Sequence, residues 1–254
     1  MEKGLFKVSV LQVVFVVLYA ILVALYNAFK IDISFSLLTM AYAGITMVIS
    51  YIVLGFEKRK TMFTKDIVMN IIIDVLAYFL IIYVSGYFIG FVRSVYSNNV
   101  LDILRNVFPY FFIVIFQELV RYMMVSKCGR SSFGYVFTAL MFIVLNSLFY
   151  MKGYDLKSFV DILDFFSKVF IPSVFVNITF SYIASKEGYL PGIIYRLVFE
   201  LYVFILPIFP NYGALIESIS QVVLILVILF QSMKLPIRII FIQSVALSVW
   251  MKTI

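Results

Sequence analysis

Apolar runs of about 20 residues, divided by short polar loops, recur from one end of this chain to the other. A helix of that length spans the roughly 30 Å hydrocarbon core of a bilayer. Inside lipid, backbone groups must be satisfied within a helix or a closed barrel, and a barrel would read as short segments of alternating hydrophobicity. Long runs therefore specify an all-α fold, a polytopic transmembrane helical bundle, as one integral membrane domain over residues 1–254. The composition agrees. Hydrophobic residues make up 64% of the chain and charged residues 13%, with mean hydropathy +1.10. In soluble domains about 45–50% of residues are apolar.

The runs place spans at 8–29, 35–56, 67–91, 103–125, 133–150, 171–185, 193–209 and 214–233. Residues 237–254 form a last apolar segment, either a short ninth span or a helix in the interface, so eight or nine spans are expected. Between the fifth and sixth, residues 151–170 carry Leu156, Phe159, Val160 and Leu163 at helical spacing, with Asp155, Asp161 and Asp164 elsewhere. That pattern predicts an amphipathic helix lying in the interface.

The net charge of +7 sits in short loops between apolar runs, so it reads as a topology signal and not as a nucleic-acid footprint. With the N-terminus inside, 11 basic residues face inward: Lys3, Lys7, Lys58, Arg59, Lys60, Lys65, Lys127, Arg130, Lys186, Lys234 and Arg238. Five face outward, Lys30, Arg93, Lys152, Lys157 and Lys168. The bias predicts a cell-membrane protein with a cytoplasmic N-terminus. Lone Cys128 excludes an internal disulfide. The chain has no His, which removes histidine metal sites, Ser-His triads and histidine proton relays. No cofactor or metal is expected, and the first partner is the bilayer.

Charges inside the runs are the candidate site. Arg196 and Glu200 lie four residues apart, one turn along a helix face. Glu118 and Arg121 lie near the end of the fourth run, Asn146 in the fifth, Asn177 in the sixth and Asp74 in the third. An ionised side chain at mid-bilayer costs about 2.5–3.5 kcal/mol even on translocon scales, so these groups must face protein or water. Three readings stand. They form a structural clamp of paired charges; they form a polar site that activates water or binds a polar substrate; or they snorkel from helix ends. Pro207 and Pro210 end the seventh run and fix its exit.

Two resemblances follow from short motifs. Tyr195-Arg-Leu197, Glu200-Leu201, Leu206-Pro-Ile208 and Pro210-Asn-x-Gly213 resemble the multi-span membrane region of signal-peptidase-I-like proteins from low-GC Gram-positive bacteria. Ile171-Pro-Ser173 and Glu118-Leu-Val-Arg-Tyr-Met-Met124 extend the likeness over about 100–235. It implies a non-catalytic membrane module of a bacterial signal-peptidase-type system, docking the catalytic domain or presenting exported polypeptides to it. In such proteins that domain would lie beyond Ile254, on the outer face if 237–254 is a ninth span. More distantly, Gln117-Glu-Leu-Val-Arg121, Phe142-Ile-Val-Leu-Asn146 and Arg196-Leu-Val-Phe-Glu200 are similar to the three motifs of the CAAX-protease-like (CPBP) intramembrane proteases. Here one Glu stands for their pair, Asn146 for a catalytic His, and Arg196 and Glu200 for the His and Asn of the third motif, so this resemblance implies a protease centred on Glu118 or its silent relative. Arg121, Asn146, Arg196 and Glu200 would then be support. A small transporter with the paired charges along its path is the remaining alternative.

Overall fold

The computed structural model describes residues 2–29, 32–57, 61, 63–94, 96, 99–128, 132–155 and 157–252. Side chains are described for the same residues except 2–3, 132–133, 214 and 235–252. Lys3, Lys30, Lys58, Arg59, Lys60, Arg130 and Arg238, used for the topology argument, and Leu156 therefore fall outside the described side chains.

The described residues form helices, one short two-stranded ribbon and connecting loops. Helices α1 (Glu2–Phe29), α2 (Phe35–Leu54) and α3 (Thr64–Ile89) are followed by strand β1 (Phe91–Arg93), then α4 (Val100–Lys127) and α5 (Ser132–Met151). Next come α6 (Phe159–Phe165), a π-helical turn (Phe166–Phe170), α7 (Ile171–Glu187), α8 (Leu190–Ile205), β2 (Ile208–Pro210) and α9 (Ala214–Lys252). Among the described residues six helices are long and apolar enough to cross a membrane: Gly4–Phe29, Phe35–Leu54, Thr64–Ile89, Val100–Lys127, Gly134–Met151 and Leu215–Lys234. The spans expected at 171–185 and 193–209 are α7 and α8, shorter helices of 17 and 16 residues. No turn divides 214–233 from 237–254; α9 continues through Pro236.

The outer faces are apolar. Leu80, Ile81, Tyr87 and Phe88 of α3 are exposed, the last two at 82%. Soluble monomers seldom carry such contiguous apolar surface, and lipid is the solvent that suits it. The inner faces use small residues. Along α2 the buried positions are Thr39, Ala43, Thr46, Ser50 and Leu54, while Ile45, Val48 and Ile52 point outward. A small-residue stripe lets α2 lie close against α4. Gly44 extends it, since a Cβ there would touch the Phe116 ring at 3.5 Å. Polar side chains join α1 to its neighbours: Tyr42 of α2 donates to Phe15 O (2.6 Å) and Gln12 Nε2 to Thr138 Oγ1 of α5 (2.9 Å).

The described residues gather into two apolar cores. The first gathers Phe15 and Tyr19 of α1, Leu54 of α2, Met123 and Met124 of α4 and Phe142 of α5. The second gathers Ile71 of α3, Phe180 of α7, Tyr195 of α8 and Ile225 and Ile228 of α9. Helix α4 packs against α7 and α8 along the seam between them.

The ends of the bundle differ. At one end β1 and β2 pair antiparallel, Val92 opposite Phe209, and the ribbon is extended by Ser94 N to Pro207 O (2.9 Å) and Asn211 N to Gly90 O (3.0 Å). Pro207 stops α8, and Tyr83 donates to Ile208 O (2.7 Å). Gly90 takes φ +98°, where a side chain would be strained, and closes α3 onto the ribbon. At the other end Glu187, last residue of α7, accepts from Phe63 N (2.9 Å) and so satisfies a free donor at the start of α3. Glu57 there accepts from the Tyr122 hydroxyl through its carbonyl and from Lys127 through its carboxylate.

The amphipathic segment behaves differently from its sequence pattern. It forms no separate interfacial helix: α6, the π turn and α7 run on without a break from Phe159 to Glu187. Phe159, Val160 and Leu163 point outward from its first turns. Pro172 supplies the cause of the π turn. It has no N–H to give the carbonyl of Lys168, and its ring crowds that turn, so the helix widens just before it. The loosened carbonyl of Ser167 accepts the Ser218 hydroxyl of α9.

Candidate functional site: a charge cluster at the seam and the cavity beside it

Three helices bring polar residues to the seam, each by turn spacing. Helix α4 supplies Gln117, Glu118 and Arg121. Helix α7 supplies Ser173, Asn177 and Ser181, which recur every four residues and so share a face. Helix α8 supplies Arg196 and Glu200, one turn apart. Glu118 is the hinge of the cluster. Its Oε1 accepts from Arg121 Nε at 3.2 Å and from Arg196 Nη1 at 3.0 Å, and its Oε2 lies 3.1 Å from Arg121 Nε.

Both guanidiniums are held on several edges. Arg121 Nη1 donates to Asn177 O (3.1 Å) and Ser181 Oγ (2.7 Å), and Nη2 to Asn177 Oδ1 (2.6 Å). Its plane lies over the Phe142 ring, 4.2 Å from the centroid. Asn177 is itself fixed, Nδ2 donating to Ser173 O (2.8 Å) and Ser173 Oγ (3.0 Å). Arg196 Nε donates to Glu200 Oε1 (2.8 Å), and Nη2 to Glu200 Oε1 (2.5 Å) and Gln117 Oε1 (2.8 Å). Two guanidiniums face two carboxylates, so the cluster is neutral as a unit. Arg121 and Glu118 have no exposed surface, and Arg196 is also buried. The desolvation cost of four charges is offset here by multiple directed hydrogen bonds, the condition under which a buried ion pair is tolerated.

Close helix approach makes the cluster possible. Gly192 lies one turn before Arg196 on α8, and a Cβ there would stand 2.3 Å from Glu118 Oε2. Only hydrogen at that position lets α8 come close enough for Arg196 to reach α4.

A cavity of about 310 Å³ adjoins the cluster toward the ribbon end. Arg196 and Glu200 form its floor, and Glu217 and Gln221 of α9, Lys168 of the π turn and Asn146 of α5 stand in its walls. Tyr96, Tyr110, Tyr150, Tyr195 and Tyr202 supply most of the ring surface. Lys168 Nζ bonds Asp164 Oδ2 at 2.8 Å, and Tyr202 donates to Glu217 Oε1 at 3.3 Å. Glu118 does not line this cavity.

The sequence candidates therefore divide. Glu118, Arg121, Arg196 and Glu200 meet in one network with Asn177. Asn146 stands in the cavity wall and belongs to no part of that network. Asp74 lies elsewhere, bonded to Gln231 of α9 (3.1 Å). Ser181, Gly192, Glu217 and the π turn were not singled out by sequence. The four-residue rhythm Ser173-Asn177-Ser181 and Pro172 were the available signals for the first and the last. Among the described residues no group of three His, Cys, Asp or Glu side chains is placed to hold a metal ion.

The fold and site define a multi-pass helical membrane protein with a neutral buried charge cluster. No family model matches the chain, and no curated protein or solved structure matches it either.

Proposed function

We propose that this protein acts by binding, as a non-catalytic multi-pass membrane module of the kind that docks a signal-peptidase-type catalytic domain or presents exported chains to it. Its N-terminus is cytoplasmic, and α7 and α8 serve as the seventh and eighth membrane-embedded helices beside the six long ones. In that orientation the ribbon end and the cavity face outward. The observation that carries the reading is the enclosure of Glu118, whose Oε2 is buried 3.1 Å from Arg121 Nε with no hydrogen bond among the described residues. Glu118 has no exposed surface, its Oε1 is taken by two guanidiniums, and it does not line the cavity. A hydrolytic carboxylate must reach a water and a substrate in hydrogen-bond range. Glu118 is a strut, and the intramembrane protease reading would have to use Glu200 instead.

The test places a photo-crosslinking residue at Tyr96, at the ribbon end, in bacteria exporting a defined secretory precursor. Adducts with the precursor or with a signal-peptidase-type domain are expected. Cleavage of a membrane substrate that is lost in Glu200→Gln or in Glu118→Gln, with the folded protein retained, would replace this reading with the protease.

A further inference from the structure

The charged side chains lining the cavity are Arg196, Lys168, Glu200 and Glu217, two cations and two carboxylates, but both cations are committed to partners other than Glu217. Arg196 is spent on Glu118, Glu200 and Gln117, and Lys168 on Asp164. Glu217 forms no ion pair among the described residues. The one hydrogen bond to its carboxylate among the described residues is the long one from Tyr202. Glu200 uses only Oε1 toward Arg196, leaving Oε2 without a hydrogen bond among the described residues. An anion entering here would find every cation engaged. A cation would find the Glu217 carboxylate and five tyrosine rings, the surroundings that attract ammonium groups through charge and ring faces together.

From this we infer that the cavity is a binding site for an organic ammonium group, with Glu217 as its counter-ion and Tyr96, Tyr110 and Tyr202 as its ring walls. Its volume of about 310 Å³ lies at the small end of ligand pockets, which suits a head-group-sized ligand. The π turn contributes by carrying Lys168 and Val169 into the wall. Helices often widen in this way at binding sites. A bland role for Glu217 exists, since a carboxylate in the first turn of α9 suits the helix dipole. That role explains neither the cavity nor the rings. The ammonium could belong to a free amine or to an ethanolamine lipid, and the inference does not depend on the docking role proposed above.

The experiment uses the full chain in phosphatidylglycerol nanodiscs. Thermal unfolding and tyrosine fluorescence are followed while ethanolamine, choline or, as the anion control, inorganic phosphate is added. A saturable stabilisation by ethanolamine or choline and none by phosphate is expected. Glu217→Gln should weaken that binding at least tenfold, and Tyr96→Leu, in an exposed loop, several-fold. Nanodiscs containing phosphatidylethanolamine separate the sources. Stabilisation by that lipid with no response to free ethanolamine or choline, again lost in Glu217→Gln, assigns the ammonium to a lipid head group. Stabilisation by phosphate alone, ammonium binding indifferent to Glu217→Gln, or no saturable response to any of the three ammonium sources would overturn the assignment.

Discussion

Two polar contacts between helices of this bundle, the seam of α4, α7 and α8 and the α3–α9 contact, are built on different terms. At the seam, Glu118 is met by Arg121 and Arg196, and each of these is held again by Asn177, Ser181, Gln117 or Glu200. Between α3 and α9, Asp74 Oδ1 accepts one hydrogen bond from the Gln231 amide, while Asp74 Oδ2 and Gln231 Oε1 are buried with none; Glu118 Oε2 at the seam also lacks a hydrogen bond but lies 3.1 Å from the Arg121 guanidinium. The first arrangement joins three helices from two cores; the second joins two helices of one core. A group with several mutually supporting partners fixes the geometry of its neighbours, whereas a group with one partner only tolerates its own. The contrast predicts a steep gradient of mutational cost from the seam to the α3–α9 contact.

The largest loss is expected for Glu118→Gln. Two guanidiniums would lose their shared counter-charge without leaving the interior, and breaking a buried pair in this way costs about 3–5 kcal/mol. Unfolding of the detergent-solubilised protein in a denaturant titration measures it. Pairing Glu118→Gln with Arg196→Gln should cost less than the sum of the two single changes, with a coupling of about 0.5–3 kcal/mol. Strict additivity would show that the two residues do not share a network. Arg121→Lys comes next. A lysine keeps the charge and loses the fork on Asn177 and Ser181 and the contact with the Phe142 ring, an expected loss of about 1.5–3 kcal/mol. A lysine variant as stable as the parent would show that charge alone holds the seam.

How much of this could be read beforehand follows the same contrast. The membrane-embedded helical fold was legible, because an apolar run of about 20 residues has few other uses. Glu118, Arg121, Arg196 and Glu200 were legible one by one, because a charge inside such a run stands out. That they meet depends on which faces of α4, α7 and α8 turn toward one another, and no single run records that. Ser181 and Gly192 were hidden for a simpler reason, since small residues are common in membrane helices and carry no mark of what they touch. The three-residue strands β1 and β2 are too short to show a period. The segment 151–170 had a correct helical rhythm read to the wrong end: its first turns continue into α7, and Pro172 widens the helix without stopping it.

Gly192→Ala tests the close approach without touching a charge. In an exposed helix the change would be favourable by about 0.8–1.0 kcal/mol on propensity. Here the new methyl would fall 2.3 Å from Glu118 Oε2, and overpacking of this kind costs about 1–3 kcal/mol. The sign of the net effect is therefore diagnostic. A loss of melting temperature is expected, and a gain would mean that α8 does not lie against Glu118.

The smallest change is expected at Asp74, and it should run the other way. Asp74→Asn removes a charge from a site where desolvation is met by a single neutral donor. It also replaces a bare acceptor, Oδ2, by an amide that can donate to Gln231 Oε1, the other bare acceptor of the contact. Two unsatisfied groups become one reciprocal amide pair, worth about 0.5–1.5 kcal/mol as an added hydrogen bond. The melting temperature should rise slightly or stay unchanged. A clear fall would show that the Asp74 charge has an ionic partner, and the contrast with the seam would close from that side, both sites then being compensated by charge.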